Sequence, residues 1–423
     1  MADDPLKNSP PQEEEGQQDD DLDAVHSGLA EDAPVVRIVN GVLHEAMKRG
    51  ASDIHIEPFE KAVRVRYRID GALQEMPPIP KQNQNAVLTR IKILSRMDIT
   101  ESRIPQDGRF KMRFKEKELD FRVSVLPVYS GGKIVMRILD KESLSLGLDR
   151  LGFLPETLNN FKEAIRRPFG MILITGPTGS GKSTTLYSIL NQLNTPEKNI
   201  ITIEDPIEYQ VRGITQIQTK AEVGMDFASG LRAILRQSPD IVMVGEIRDS
   251  ETADIAIKAS LTGQLVLSTL HTNDAAGAVA RLVDMGVEPF LISSSVILVA
   301  AQRLCRKVCD ACKERVELSP EVLKQLNVDP DRIEPDPKKR VFHRGKGCEK
   351  CSQTGYKGRM GVLETLMIDD NIREMILKRS SAYEIKDYAV SKGMTTLRDD
   401  AIKKCFAGLT TPDEVFRVTS EDE

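Results

Sequence analysis

The chain has 423 residues, 40% of them hydrophobic, and a formal net charge of −5. This length is more than one ordinary domain uses and predicts two or three domains. No apolar run approaches the roughly 20 residues of a membrane span, and the acidic first residues differ from the basic start of a signal peptide, so we expect a cytoplasmic protein without a membrane span.

The first segment, residues 1–32, is strongly acidic. It holds eleven Asp or Glu residues against the single Lys7. Such a composition buries too little apolar surface to offset the entropy lost on ordering, so we expect a disordered tail rather than a functional acidic arm. Because this tail carries the acidity, the rest of the chain is close to neutral. Bulk charge therefore gives no reason to expect nucleic-acid or membrane binding.

Residues 33–140 predict a small α+β domain. An amphipathic helical pattern opens it and stops at Gly50. Short strands with alternating apolar and basic residues follow, interrupted by a helix near 84–98. Taken alone, the arginines of these strands, which include Arg122 and Arg137, are best interpreted as solvated strand faces.

After a predicted linker at 141–150, residues 151–423 form a second domain in which apolar strands alternate with helices. This alternation predicts an α/β fold, with a parallel sheet covered by helices on both faces. Ligands of such sheets bind beyond the carboxyl ends of the strands. The polar residues that close the strands are therefore the candidate site.

The most specific motif follows the apolar strand 171–175, where a glycine-rich turn leads into a helical pattern from Lys182. The glycines permit a tight turn with converging N–H groups, and the helix dipole and the lysine add positive charge, which suits a polyphosphate better than it suits a plain surface loop. The Ser183 hydroxyl is a ligand for Mg²⁺. The predicted nucleotide-binding residues are Gly176, Pro177, Thr178, Gly179, Ser180, Gly181, Lys182, Ser183 and Thr184.

Acidic and imidazole groups close three further strands. One strand ends in Glu204 and Asp205, with Glu208 shortly after; another ends before Glu246, and a third leads into His271. In a P-loop sheet one carboxylate holds Mg²⁺ or its waters, and another activates the attacking water. The usual metal-binding Asp is missing beside Glu246, so we predict that Glu246 is the base and that Glu204 or Asp205 serves the magnesium. His271 is predicted to sense the γ-phosphate.

Four of the six cysteines form two close pairs, Cys309-x2-Cys312 and Cys348-x2-Cys351. In a reducing compartment this arrangement favours a metal over disulfides, and four thiolates can surround Zn²⁺. The gap between the pairs is longer than in the usual zinc ribbon. We predict a zinc-binding insertion at 305–360, and we expect the other two cysteines to be buried thiols.

Four short sequence motifs, here called boxes, follow one another along the chain: GPTGSGKST at 176–184, ITIEDPIEY at 201–209, DIVMVGEIRD at 240–249 and LSTLHTNDA at 267–275. Through these boxes the chain resembles, over about residues 35–420, the secretion ATPases that drive type IV pilus assembly, type II secretion and pilus retraction.

The resemblance implies a Mg²⁺-dependent ATP hydrolase that works as a homohexamer. It implies a smaller N-terminal α+β (PAS-like) domain and a RecA-like motor domain with a zinc-binding subdomain and C-terminal helices at 368–420. Family arginines reach the nucleotide across the hinge, which changes our interpretation of the two N-terminal arginines from solvated surface to phosphate clamp. The matching positions are Arg122, Arg137, Arg232, Arg236 and Arg248.

The cysteine quartet narrows the implied function. Retraction motors lack it and carry a C-terminal AIRN-type motif that this sequence does not have. We therefore expect a motor for type IV pilus assembly that acts from the cytoplasmic side of the inner membrane and docks on an inner-membrane platform protein.

Three alternatives stay open at this point. The type II secretion motor shares every box and the quartet, although the segments 138–153 and 355–364 look more like the pilus branch. A nucleic-acid-translocating RecA-like ATPase needs a basic or aromatic-lined channel, whereas this chain has no Trp and 4% aromatic residues. A nucleotide-binding scaffold without turnover is disfavoured by Glu246.

Overall fold

The computed structural model of the chain describes four ranges of residues: 34–140, 147–317, 320–326 and 341–420. The predicted acidic tail and most of the predicted linker lie outside these ranges, as do parts of the predicted insertion at 305–360.

The chain separates into two compact units. The first runs to Ile69 and continues over Leu73–Ile138, and the second comprises Asp70–Ala72 and the chain from Leu139 onward. Both units combine helices with sheets, so the predicted α/β fold class is confirmed.

Helix α1 (Pro34–Arg49) opens the first unit. Its apolar residues recur every three or four positions, and this stripe, which includes Val39 and Leu43, is buried. The second helix, α2 (Gln84–Leu94), is shorter than predicted because Arg96 adopts a left-handed φ of 57° soon after it.

The sheet of the first unit has six strands in the order β3-β2-β1-β6-β5-β4. β1 is antiparallel to both β2 and β6, and β4 is antiparallel to β5. The apolar face packs against the helices, as the alternation in the sequence predicts. The strands are β1 (Ala51–Pro58), β2 (Ala62–Ile69), β3 (Ala72–Pro80), β4 (Gln106–Phe114), β5 (Lys117–Val128) and β6 (Gly131–Asp140).

The sheet of the second unit has seven strands in the order β15-β12-β7-β11-β10-β8-β9. Its strands pair in parallel except for the edge strand β15, which is antiparallel to β12. The strands are β7 (Gly170–Thr175), β8 (Ile200–Glu204), β9 (Thr215–Gln218), β10 (Ile241–Val244), β11 (Leu265–Leu270), β12 (Val296–Val308) and β15 (Tyr356–Met367); a separate hairpin pairs β13 (Lys313–Val316) with β14 (Phe342–Gly345).

Helices cover both faces of this sheet, and β7 shows why its sequence is continuously apolar. All six residues of β7 are buried; Met171 and Leu173 point into one core, and Ile172 and Ile174 point into the other. The helices between the strands are α3 (Pro155–Ala164), α4 (Lys182–Leu193), α5 (Phe227–Ile234), α6 (Ser250–Leu261), α7 (Ala275–Asp284), α8 (Pro289–Ser295) and, in the insertion, α9 (Pro320–Gln325).

Four capped helices complete the described chain. Each begins after a side chain that accepts a hydrogen bond from the first helical turn, supplied by Asp369, Ser381, Thr396 or Thr411. The helices are α10 (Asp370–Leu377), α11 (Ala382–Ser391), α12 (Leu397–Phe406) and α13 (Pro412–Thr419). Among the helices described, none is both long enough and apolar enough to cross a membrane.

Candidate nucleotide site and metal centre

The glycine-rich turn between β7 and α4 adopts a backbone that side chains rarely permit. Gly176, Gly179 and Gly181 have φ values of 144°, 80° and 91°. A Cβ at Gly176 would lie 2.4 Å from the backbone oxygen of Gln302, so this position also needs glycine for close packing. Gly181 stands directly before α4, so the turn ends at a helix N-terminus, as the phosphate-binding motif requires.

Gln302 of β12 holds this turn in place, a role that was not predicted from the sequence. Its side chain is 3% exposed; Nε2 donates to the backbone oxygen of Ser180 at 3.0 Å, and Oε1 accepts from the Thr185 hydroxyl at 2.8 Å. A single amide directly after the apolar run 296–301 was the available signal. Its partners lie over a hundred residues away in the chain, so only the fold identifies them.

Lys182 lies over the same turn. Its Nζ donates to the backbone oxygens of Gly176 and Pro177, at 2.7 and 3.1 Å. Burial lowers the pKa of Lys182 to about 8, with Arg303 lowering it further and Glu246 opposing the shift. Of the remaining turn residues, Pro177, Thr178 and Ser183 are exposed and Thr184 is half-buried.

Glu246, His271 and Arg248 come together beyond the ends of β10 and β11. His271 Nε2 lies 3.2 Å from Glu246 Oε2, and the Arg248 guanidinium contacts Glu246 Oε1. Arg248 also lies 3.9 Å from Asp205, so one cation spans two acidic groups. The negative charge of Glu246 also opposes the lowering of the Lys182 pKa, as expected for groups at the same edge of the sheet.

Glu204 occupies a more closed position than Asp205. It is 4% exposed; Oε2 accepts from the Tyr187 hydroxyl, and Oε1 accepts from Thr202 at 2.6 Å and from Gln216 at 3.1 Å. Asp205 is exposed. The magnesium role assigned to Glu204 stays a prediction, and Asp205 stays the alternative candidate.

The predicted arginines lie in both units. Arg232 pairs with Glu251, and Arg236 donates to the backbone oxygen of Arg232 at 3.0 Å. In the first unit, Arg122 of β5 stands opposite Arg109 of β4. Arg137 of β6 donates to Asp53 at 3.1 Å, an ion pair that the sequence did not indicate.

The cysteine quartet converges to one point. The Sγ atoms of Cys309 and Cys348 are 3.9 Å apart, those of Cys312 and Cys351 are 3.8 Å apart, and all four lie within 4.8 Å of one another. Tetrahedral zinc with Zn–S bonds of about 2.3 Å requires S···S distances of about 3.8 Å. The four sulphurs therefore fit zinc despite the long spacing between the pairs.

The backbone around the quartet stabilises negative sulphur. The N–H groups of Cys348 and Gly355 donate to Cys351 Sγ at 3.2 and 3.3 Å. Although burial raises the pKa of Cys351, these hydrogen bonds bring it down to about 7. The pKa of Cys312 rises to about 12, first through burial and then through hydrogen bonds with the other three thiols. Four adjacent thiolates need a cation, which a bound metal provides.

The other two cysteines are buried thiols. Cys305 and Cys405 are each 0% exposed, and burial raises their pKa values to about 11 and about 12. They lie outside the quartet and stay protonated near neutral pH.

Comparison with known proteins agrees with this architecture. The model of the family described as type II/IV secretion system protein matches residues 28–417. The chain is 49% identical over 395 residues to the type IV pilus assembly ATPase PilB of Myxococcus xanthus, covering 93% of this chain and 69% of that protein. It is 50% identical over 392 residues to the type II secretion system protein E of Pseudomonas aeruginosa, covering 93% and 77%.

Solved structures show the same fold. The pilus retraction motor PilT with bound ADP is 27% identical, with a TM-score of 0.60 over 90% of this chain and 96% of that one. The ATPase DotB of Legionella pneumophila is 22% identical, with a TM-score of 0.66 over 91% and 95%. At 22% identity, the similarity to DotB shows a common fold and nothing more.

The position of Lys182 predicts a pH dependence of nucleotide binding. Phosphate binds the protonated amine, so affinity for ATP is greatest well below pH 8, begins to fall near pH 8 and approaches a tenfold loss per pH unit above it. Titration calorimetry between about pH 7 and 10 measures this fall. Lys182→Arg keeps its charge throughout and is expected to lose the pH dependence, whatever its absolute affinity. A wild-type affinity that does not change with pH would contradict the assignment.

The quartet predicts about one zinc per chain by elemental analysis. Cys351→Ala removes a ligand whose sulphur accepts two backbone hydrogen bonds, and we expect it to lose the zinc and make residues 309–317 and 341–355 sensitive to protease. Cys405→Ala, a buried thiol outside the quartet, is the matched control and should keep the metal. Wild-type protein without zinc would rule out the site.

Proposed function

Because the chain belongs to the type II/IV secretion system protein family, whose members are ATPases, we propose that its ATP hydrolysis powers the assembly of a type IV pilus. The observation that carries this proposal is the position of Glu246, which meets His271 at 3.2 Å and acts electrostatically on Lys182 of the phosphate-binding turn. A base, a phosphate ligand and an orienting group then share one edge of the sheet.

The turn after β7 binds the phosphates in this proposal. Its N–H groups and the N-terminus of α4 face the negative charge, and Lys182 exchanges its two backbone oxygens for phosphate oxygens. The Ser183 hydroxyl and the carboxylates of Glu204 and Asp205 are the oxygen donors available for Mg²⁺, which neutralises phosphate charge when it is bound.

Glu246 acts as the general base. It is 16% exposed, so few water molecules reach it. A water held there transfers a proton to the carboxylate as its oxygen attacks the γ-phosphorus, and the bond from that phosphorus to the oxygen bridging it to the β-phosphate breaks, which releases ADP and phosphate. His271 holds one carboxylate oxygen. Arg248 holds the other, and we propose that this guanidinium moves to the phosphate when nucleotide binds, which frees Glu246 for water.

The remaining parts of the proposal come from the resemblance. They are a homohexamer at the cytoplasmic face of the inner membrane, a platform protein as the docking partner, and phosphate contacts from Arg122, Arg137, Arg232 and Arg236. Zinc has a structural role, since its four sulphur ligands leave no position for a substrate.

Type II secretion is the second candidate function. The observation in its favour is that the chain is as similar to a type II secretion protein E, at 50% identity, as to a pilus assembly ATPase, at 49%. Both machines use the same chemistry, so the choice between them needs a test in cells.

Glu246→Gln tests the base. The amide keeps the size of the side chain but cannot accept the proton, so kcat for phosphate release should fall by at least about 100-fold while ATP still binds. Glu163→Gln changes an exposed carboxylate in α3 and is the matched control, with unchanged kcat expected. A Glu246→Gln variant that hydrolyses ATP at the wild-type rate would remove this residue from the mechanism.

The biological role is tested by counting surface pili on cells whose chromosomal copy encodes Glu246→Gln. We expect cells without pili, because a motor that binds but does not hydrolyse ATP cannot add subunits. Normal pili would reject pilus assembly and turn the search to secreted enzymes retained inside the cell.

A further inference from the structure

His271 depends on the short loop that carries it. Residues 271–274, here called the His271 loop, join β11 to α7, and His271 is the first of them. The 3.2 Å contact between His271 and Glu246 therefore depends on how firmly this loop is held. Two sets of contacts hold the loop in place.

One set ties the His271 loop to the phosphate-binding turn. The backbone N–H of Thr272 donates to the Thr175 hydroxyl at 2.7 Å, and the two hydroxyls are 2.8 Å apart. Thr175 is the last residue of β7, directly before Gly176. Arg303 of β12 donates to the backbone oxygen of Asn273 at 2.9 Å.

The second set ties the loop to the C-terminal part of the chain. Asp274 caps α7 by accepting from the Gly277 N–H at 2.7 Å. Glu364 of β15 accepts from the Ala275 N–H at 3.0 Å. Lys386 of α11 lies between the two carboxylates, 3.3 Å from Asp274 and 3.8 Å from Glu364.

The two carboxylates at the N-terminus of α7 need the positive charge of Lys386. The Glu364 side chain is 0% exposed, and a buried carboxylate is strongly unfavourable without compensating charge or hydrogen bonds. The N-terminus of α7 and the Lys386 ammonium provide that compensation. Without the ammonium, two carboxylates meet at one helix end and repel each other, and the accessible response is movement of the exposed loop.

We propose that Lys386 and Glu364 are positioning residues for ATP hydrolysis, which fix the His271 loop so that His271 meets Glu246. The inference rests on the proposed function for its catalytic consequence. It adds two residues from the C-terminal strand and helix to the determinants of the nucleotide site.

Lys386→Met removes the charge and keeps most of the side-chain volume. We expect kcat to fall by about 10- to 100-fold, because small displacements of catalytic groups cost rates of that order, while KM for ATP stays within about threefold. Lys386→Arg keeps the charge and should restore most of the rate. The matched control is Lys378→Met, which breaks an exposed lysine–carboxylate pair at the C-terminal end of α10 and should change neither constant.

A double-mutant cycle separates positioning from general stability. If Lys386 acts through His271, then Lys386→Met has no further effect on kcat in a His271→Ala background. Effects that multiply in the double variant would overturn the inference. So would a Lys386→Met variant with the kcat of wild type.

Amide hydrogen exchange gives a readout that does not depend on turnover. Exchange at Ala275 and Gly277 should be faster in Lys386→Met than in wild type, and exchange at Ala275 should be faster in Glu364→Leu, which removes the acceptor of its N–H. Both rates should be unchanged in Lys378→Met. If Lys386→Met fails to fold, Lys386→Gln, which also removes the charge but keeps a polar side chain, provides the same comparison.

The two proposals fail in different ways. Wild-type protein that does not hydrolyse ATP would end the proposed function, and the exchange rates alone would then decide whether Lys386 and Glu364 hold the loop. Unchanged exchange in both variants would overturn the positioning inference even if hydrolysis is normal.

Discussion

The parallel register of β7, β11, β10 and β8 is the constraint on which the site depends. Backbone hydrogen bonds align Leu173, Ser268, Val244 and Ile203 across the sheet. Because parallel strands all end at the same edge, this alignment brings together groups that lie far apart in the sequence. The phosphate-binding turn, the base and its histidine are neighbours for that reason, and a shift of register in one strand would separate them.

The cations of the candidate site are paired with acceptors within the protein. Lys182 donates to backbone oxygens, Arg248 spans Glu246 and Asp205, and Arg232 pairs with Glu251. In the proposed function, phosphate would replace these partners, and until then each partner compensates the positive charge of its cation. The same logic applies to the cysteine quartet, where four adjacent thiolates need a shared cation.

The sequence was informative where chemistry is local in the chain. The glycines and Lys182 of the turn fall within seven residues, and their roles follow from backbone geometry alone. Glu246 and His271 each close an apolar strand, so their meeting followed from the parallel sheet. Residues that act across the sheet were missed. Gln302, Glu364 and Lys386 contact the site from β12, β15 and α11, and no local pattern in the sequence identifies their partners.

By itself, the sequence determined the fold class, the family, the phosphate-binding turn and the cysteine quartet, because each is written in short-range spacing or in continuous apolar runs. Only the tertiary structure decided which groups pair with each charged side chain. It buried Glu204 among Tyr187, Thr202 and Gln216 while leaving Asp205 exposed, although the two are adjacent in the chain. The physical reason is that the burial and the hydrogen-bond partners of a side chain depend on long-range packing. Neighbouring residues at a strand end point in opposite directions, so one can be buried while the next is exposed.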